Sequence, residues 1–202
     1  MSSRTVTLTQ ILPIPTGLRQ VLLVGFGIVL LALSAKLKVY LGPIPFTLQT
    51  LVVLLIGASY GAHLAVLTTT LYLGIGLAGM PIFAGTPVIT GGYLVGFIVA
   101  SYLVGLLAER GWDRSIGSTI AMMVIGNMLI YTFGIAHLIW GASLIAPALD
   151  TIFPLNSHIF PSMNAMEAIE KGMLPFYFTD SIKILIAAVL LPGIWALLGK
   201  KN

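Results

Sequence analysis

The chain has no cysteine, which excludes zinc–thiolate sites and leaves the redox compartment unread. It is also poor in charge: ten Lys and Arg and six Asp and Glu, 8% of 202 residues, where a soluble domain carries about 25%. So few charges cannot cover a water-facing surface. With 58% hydrophobic residues and a mean hydropathy of +1.05, the bilayer has to be the solvent. No G-x-x-x-x-G-K-[ST] occurs, since the Gly-Lys at 199–200 lacks the rest of that pattern, so the chain has no ATP site of its own. His63, His137 and His158 have no ligand-like spacing with one another or with carboxylates, and no metal is expected. No serine, histidine and carboxylate set has a recognisable arrangement, and Asp180 stands alone among the apolar runs, so neither catalytic residues nor an enzyme is expected. The first sixteen residues lack the charged-then-apolar pattern of a cleaved signal, and none is expected.

What is there is a series of apolar runs. A helix needs about 20 largely apolar residues to cross roughly 30 Å of hydrocarbon. The sequence predicts one transmembrane domain over 1–202, with helices near 17–35, 47–59, 61–78, 91–108, 118–138 and 175–198. Residues 47–78 contain no charge, yet as one helix they would run about 48 Å, too long for one crossing. "GASYGA" at 57–62 offers a glycine-rich break, which predicts a tight hairpin of two helices. With the N-terminus inside, Arg4, Arg19, Arg110, Arg114, Lys200 and Lys201 are cytoplasmic, and Lys36, Lys38 and Lys171 lie outside, in agreement with the positive-inside rule. The expected fold is therefore an all-α integral membrane protein of six transmembrane helices in the cell membrane, both ends cytoplasmic. Once placed, the net charge of +4 marks topology and not a nucleic-acid partner. The outer connection 139–174 holds "NAMEAIEKGM", which reads as a short amphipathic helix capped by Asn164 with Glu167 three residues on. Met166, Ile169 and Met173 would share its apolar face; a lid and a plain surface loop both fit.

In this topology the second, fourth and sixth spans begin at the outer face, and polar or glycine-rich stretches sit at all three starts: "GPIPFTLQT" (42–50), "TGGY" (90–93) and "FTDSIK" (178–183). Their convergence predicts an outward-facing pocket. Thr47 and Gln49 offer hydrogen bonds after a proline-stiffened entry. Thr90 is expected to cap its helix, while Gly91 and Gly92 would let a ligand approach a helix start whose free N–H groups suit a carboxylate, with Tyr93 adding an amphipathic ring. Asp180 and Lys183 lie three apart on one face of an apolar run, where an isolated charge costs roughly 2.5–3.5 kcal/mol. Two readings fit them: a structural ion pair, or a site in which Lys183 meets an anion and Asp180 accepts from N–H groups of a guest that satisfies both. Asn127, mid-span and four residues before Tyr131, fits interhelical bonding and pocket lining equally. Gly92, Gly96 and Ala100 form a small-residue ridge, as do Gly57 and Gly61, expected to pack helices within the chain.

"GPIPFTLQT", "GLAGMPIFAG" followed by "TGGYLVGF", and "LPFYFTDSIK" stand here in an order and spacing that resembles the BioY family, the biotin-binding S components of energy-coupling factor (ECF) transporters. The likeness runs from about residue 20 to 195. It implies a six-helix S-component bundle that captures biotin from outside, with a transmembrane coupling protein and a pair of cytoplasmic ATPase subunits as partners. It also implies a pocket near the outer face, beneath the loops joining helices one to two and three to four. On that reading Asp180, Lys183, Gly91, Gly92, Tyr93 and Gln49 fall at matching positions; Phe46, Phe83 or Tyr93 would hold the ring system, and Asn127 would line the pocket. The chain departs from the family in one respect: Gly25, Gly27, Ala32, Ser34 and Ala35 never fall four apart, so helix one lacks the small-xxx-small spacing S components present to the coupling protein. Two other functions fit the apolar runs: a proton-coupled secondary transporter with Asp180 as relay, and a non-transporting scaffold using the helix-four ridge.

Overall fold

The apolar runs fold as helices wherever glycine, proline or charge does not interrupt them. The structure, a computed structural model, describes residues 6–11, 15–40, 44–85, 87–141 and 163–199. Its helices are α1 (Thr16–Lys36), α2 (Gln49–Tyr60), α3 (Ala62–Leu77), α4 (Pro87–Ala108), α5 (Ile116–Ala136), α6 (Ala165–Gly172) and α7 (Tyr177–Gly199). A π-helical turn, His137–Gly141, prolongs α5. α1, α4, α5 and α7 are long and apolar enough to cross a membrane, and α2 and α3 are shorter apolar helices. The six expected spans are thus α1–α5 and α7, an all-helical membrane protein. Residues 142–162 of the outer connection lie outside the described residues, as do Arg4, Gly42, His158, Lys200 and Lys201.

α2 has only 12 residues, about 18 Å of rise. An extended stretch completes its column: Lys38–Val39 and Phe46–Thr47 pair antiparallel, Lys38 opposite Thr47, so that backbone keeps its hydrogen bonds without a helix.

The hairpin at "GASYGA" turns on one residue. Gly61 has φ +80°, a region that disfavours other residues, and a side chain there would also meet the Glu109 carboxylate. That carboxylate accepts from the Ala62 N–H at 2.9 Å and so satisfies a free donor at the start of α3. The Gln49–Tyr72 hydrogen bond at 2.9 Å shows that α3 doubles back along α2. Residues 57–61 also spell G-x-S-x-G, but a helix rather than a strand runs into the turn, so it is not a nucleophile elbow.

The ridges pack inside the chain. Cβ atoms at Gly92 and Gly96 would collide with α5, at His137 and Phe133 and at Ile130, while Gly57 meets Ser101 and Val104 of α4. On α1 Gly27, Ser34 and Ala35 are buried, while Gly25 is exposed together with Leu18, Val21, Leu22, Phe26, Val29 and Leu33, as befits lipid-facing side chains. α6 carries the expected capping box: Asn164 Oδ1 accepts from the Glu167 N–H at 2.9 Å, and Glu167 accepts in return at 3.2 Å. Its buried face differs from the expected one. Ala168 and Gly172 are buried where α6 lies against α5 and Tyr93; of the expected three, Met173 is half-buried against the core and Met166 and Ile169 are exposed.

One face gathers Arg19, Arg110 and Arg114, and the positive-inside rule makes it the inner one. There Thr9 donates to the Ser59 carbonyl, Arg114 donates to the Val6 carbonyl and lies 4.5 Å over the Trp195 ring, and the Trp195 indole donates to Asp113 at 2.5 Å. Asp113 therefore ties the end of α7 to the α4–α5 turn. Burial pushes its carboxyl above the usual range, against the smaller opposing effects of the Trp195 hydrogen bond and Arg114. Because the folded state holds this proton more tightly, the stability Asp113 contributes is present below the ordinary carboxylate pKa and lost as pH rises through the raised one. Asp113→Asn keeps an acceptor for Trp195 and removes that titration. Its thermal midpoint in detergent is expected to fall less with rising pH than the wild type's; equal slopes would refute the linkage.

Candidate functional site

Polar side chains converge at the opposite end of the bundle. A cavity opens between α2, α4, α5 and α7, with about 540 Å³ of atom-free space once its open mouth is counted. Ile44, Pro45, Ala84, Leu94, Phe97 and Phe176 give it apolar walls, and Thr47, Gln49, Thr50, Thr90, Tyr93, Tyr131, Asp180 and Lys183 bring polar atoms. All three expected helix starts thus contribute to one pocket.

Asp180 and Lys183, one turn apart in α7, form an ion pair at 2.6 Å with side chains 4% and 11% exposed. The Lys183 ammonium also donates to the Thr47 carbonyl at 2.7 Å and the Thr50 hydroxyl at 2.9 Å, which uses all three of its hydrogens. The second Asp180 oxygen accepts from the Tyr131 hydroxyl at 2.5 Å. Within the chain these charges are shared with Thr47 on the extended approach to α2, Thr50 on α2 and Tyr131 on α5. The pair also lines the cavity, so it is both an ion pair and a wall.

Gln49, the first residue of α2, is buried; its amide nitrogen donates to Tyr72, and its carbonyl oxygen has no hydrogen bond among the described residues. Tyr93 lays its ring against Gly134 and donates to the Gly172 carbonyl at 2.8 Å, which anchors α6 over α4. Two loops are fastened together at the mouth. Lys36 donates to the Pro81 carbonyl at 2.5 Å, and Lys38 and Tyr40 donate to the Ala84 carbonyl at 2.7 and 3.0 Å.

The remaining expected residues stand behind the wall. α4 begins at Pro87, so Thr90 is not its cap, and Gly91 and Gly92 lie within the helix rather than at a free N-terminus. Neither glycine lines the cavity. Phe46 stacks on Phe176 with centroids 4.3 Å apart, and Phe83 seats over Gly76 with its ring edge-on to Tyr72 at 5.5 Å. Asn127 lines a small crevice with Thr50, Leu54, Asp180, Lys183 and Ile184; its buried carbonyl oxygen has no hydrogen-bond partner among the described residues.

The BioY family model matches residues 3–200. The chain belongs to the BioY family. It is 32% identical over 180 residues to the biotin transporter BioY of Thermotoga maritima, covering 86% of this chain and 94% of that protein. It is 34% identical over 116 residues to the probable biotin transporter BioY of Pyrococcus horikoshii, covering 53% of this chain and 69% of that protein. The crystal structure of the S-component for biotin from an ECF-type ABC transporter superposes with a TM-score of 0.63 at 17% identity, covering 95% of each chain. This BioY chain therefore has the S-component fold and is a multi-pass membrane protein. Thr50, Phe97 and Phe176 line its pocket without having been singled out in the sequence. Thr50 and Phe176 lie within the polar stretches "GPIPFTLQT" and "LPFYFTDSIK", which is the signal that could have found them.

Proposed function

We propose that the chain is a biotin-capturing S component, which takes biotin at the outer pocket and passes it across the membrane with energy supplied by a coupling protein and ATPase subunits. The observation that carries this reading is the match to a biotin transporter over 94% of that protein's length. The lack of a P-loop in the sequence accords with ATP hydrolysis on other subunits.

The pocket's chemistry supports a pose. Lys183 has no hydrogen left for a carboxylate, whereas the Gln49 carbonyl and the Asp180 carboxylate are acceptors on the wall. The ureido N–H groups would meet these acceptors, the fused rings would lie among Tyr93, Phe97 and Phe176, and the valerate would extend to the mouth, where Lys38 borders Ala84.

Equilibrium binding of labelled biotin to detergent-purified protein tests the reading. Saturable binding that unlabelled biotin displaces is expected, and its absence would end the proposal. In vesicles carrying the whole transporter, uptake is expected to require ATP and to survive collapse of the proton gradient.

A further inference from the structure

Tyr72 is 1% exposed on α3 and does not line the pocket, yet its hydroxyl makes two bonds that bear on what the pocket accepts. Gln49 Nε2 lies 2.9 Å from the Tyr72 hydroxyl, and that hydroxyl lies 2.9 Å from the Ile82 carbonyl. A hydroxyl has one hydrogen, and a backbone carbonyl can only accept. The Tyr72 hydrogen therefore goes to Ile82, and the Tyr72 oxygen is left as an acceptor. Gln49 has to turn its NH₂ group towards it. The reversed amide would put two acceptors on one hydrogen in a buried place, where an unsatisfied acceptor is penalised.

The Ile82 carbonyl is itself held in place. The Ile82 N–H donates to the Met80 carbonyl at 2.8 Å, and the neighbouring Phe83 ring is wedged over Gly76 and against the Tyr72 ring. The Tyr72 oxygen takes one of the two amide hydrogens, so the contact fixes which way the amide faces: the Gln49 carbonyl oxygen, which has no hydrogen bond among the described residues, is the acceptor it offers to a ligand.

We infer that Tyr72 is a specificity-determining positioning residue: through the Ile82 carbonyl it locks the Gln49 amide with its acceptor available to the pocket, so that the site selects a ligand with an N–H donor at that point. This rests on the biotin reading, in which the donor is a ureido N–H. Without the Tyr72 hydroxyl, the Gln49 amide is free to rotate and to present donors as readily as its acceptor.

The test is the ratio of affinities for biotin and for a biotin methylated on its ureido nitrogens, measured on purified full-length protein. The wild type is expected to prefer biotin, and Tyr72→Phe to lower that preference about tenfold, the effect of losing one oriented buried hydrogen bond. Because Tyr72 does not touch the ligand, a change in the ratio reports the amide and not pocket shape. Gln49→Glu presents an oxygen in both orientations, so adding Tyr72→Phe to it is expected to leave the ratio unchanged. Should Tyr72→Phe fail to fold, Phe83→Leu, which loosens the Ile82 carbonyl without touching the amide, is expected to lower the ratio as well. A folded Tyr72→Phe with the wild-type ratio, an equal drop in the Gln49→Glu background, or an unchanged ratio in Phe83→Leu would overturn the inference. A wild-type chain that does not bind biotin would overturn the biotin reading, and this inference with it; binding without any change in the ratio would overturn the inference alone.

Discussion

Asp180→Ala is expected to abolish biotin binding and to lower the thermal midpoint more than any other single change at the pocket. Its carboxylate is the only charged partner of Lys183 among the described residues, at 2.6 Å, and it also accepts from Tyr131 and, at 3.4 Å, from Thr50. Removing it leaves a nearly buried ammonium on one carbonyl and one hydroxyl, and breaking such a pair costs about 3–5 kcal/mol. Loss of binding alone would not separate a ligand-contacting wall from an ion pair that merely holds α7 to α2. The exchanged double variant, Asp180→Lys with Lys183→Asp, separates them. Opposite charges remain three residues apart, but an ammonium now faces the Tyr131 hydroxyl and a carboxylate faces the Thr47 carbonyl. Folding is expected to recover in part, since the charges still neutralise each other, and binding is not, since the acceptor has left its place on the wall. Thermal shift in detergent and labelled-biotin binding read the two effects. An exchanged variant binding within tenfold of the wild type would reduce the pair to a fold-holding role.

That both functions meet at one pair explains how far the site could be read from sequence. The three helix starts converge because six spans put the second, fourth and sixth on one side, so Gln49, Tyr93, Asp180 and Lys183 could be grouped from topology alone. Helix spacing likewise made the Asp180–Lys183 contact legible. The partners from other elements, Thr47, Thr50 and Tyr131, were not, because registers between elements depend on packing and not on local pattern. One register was within reach. With the hairpin turning at Gly61, Gln49 lies twelve residues before the turn and Tyr72 eleven after it, which places them side by side. The misplaced helix start has a clear physical reason. Thr90 is a good cap and two glycines follow it, but Pro87 is suited to a first helical turn because it has no N–H to leave unsatisfied, and the helix begins there. At "TGGY" the Gly92 signal therefore reports packing, while Thr90 and Tyr93 line the cavity.

The glycines of α4 give that distinction its sharpest measure. Gly92→Ala is expected to destabilise the protein strongly and to weaken biotin binding, although Gly92 does not line the pocket. A Cβ there would press into the Phe133 carbonyl and the His137 side chain, and backbone cannot swing aside as a flexible side-chain tip can. Overpacking of this kind costs about 1–3 kcal/mol and sometimes more. Relief requires α4 and α5 to separate at their outer ends. Those ends carry Tyr93, Leu94 and Phe97 on one side and Tyr131 on the other, so the cavity loses its shape together with the Tyr131–Asp180 bond. If close approach of a ligand were the reason for glycine here, Gly92→Ala would lower affinity while leaving the thermal midpoint of the ligand-free protein near the wild type's. If helix packing is the reason, the midpoint falls in the absence of biotin, and biotin restores only part of it. The second outcome is expected, and an unchanged ligand-free midpoint would return Gly92 to the ligand.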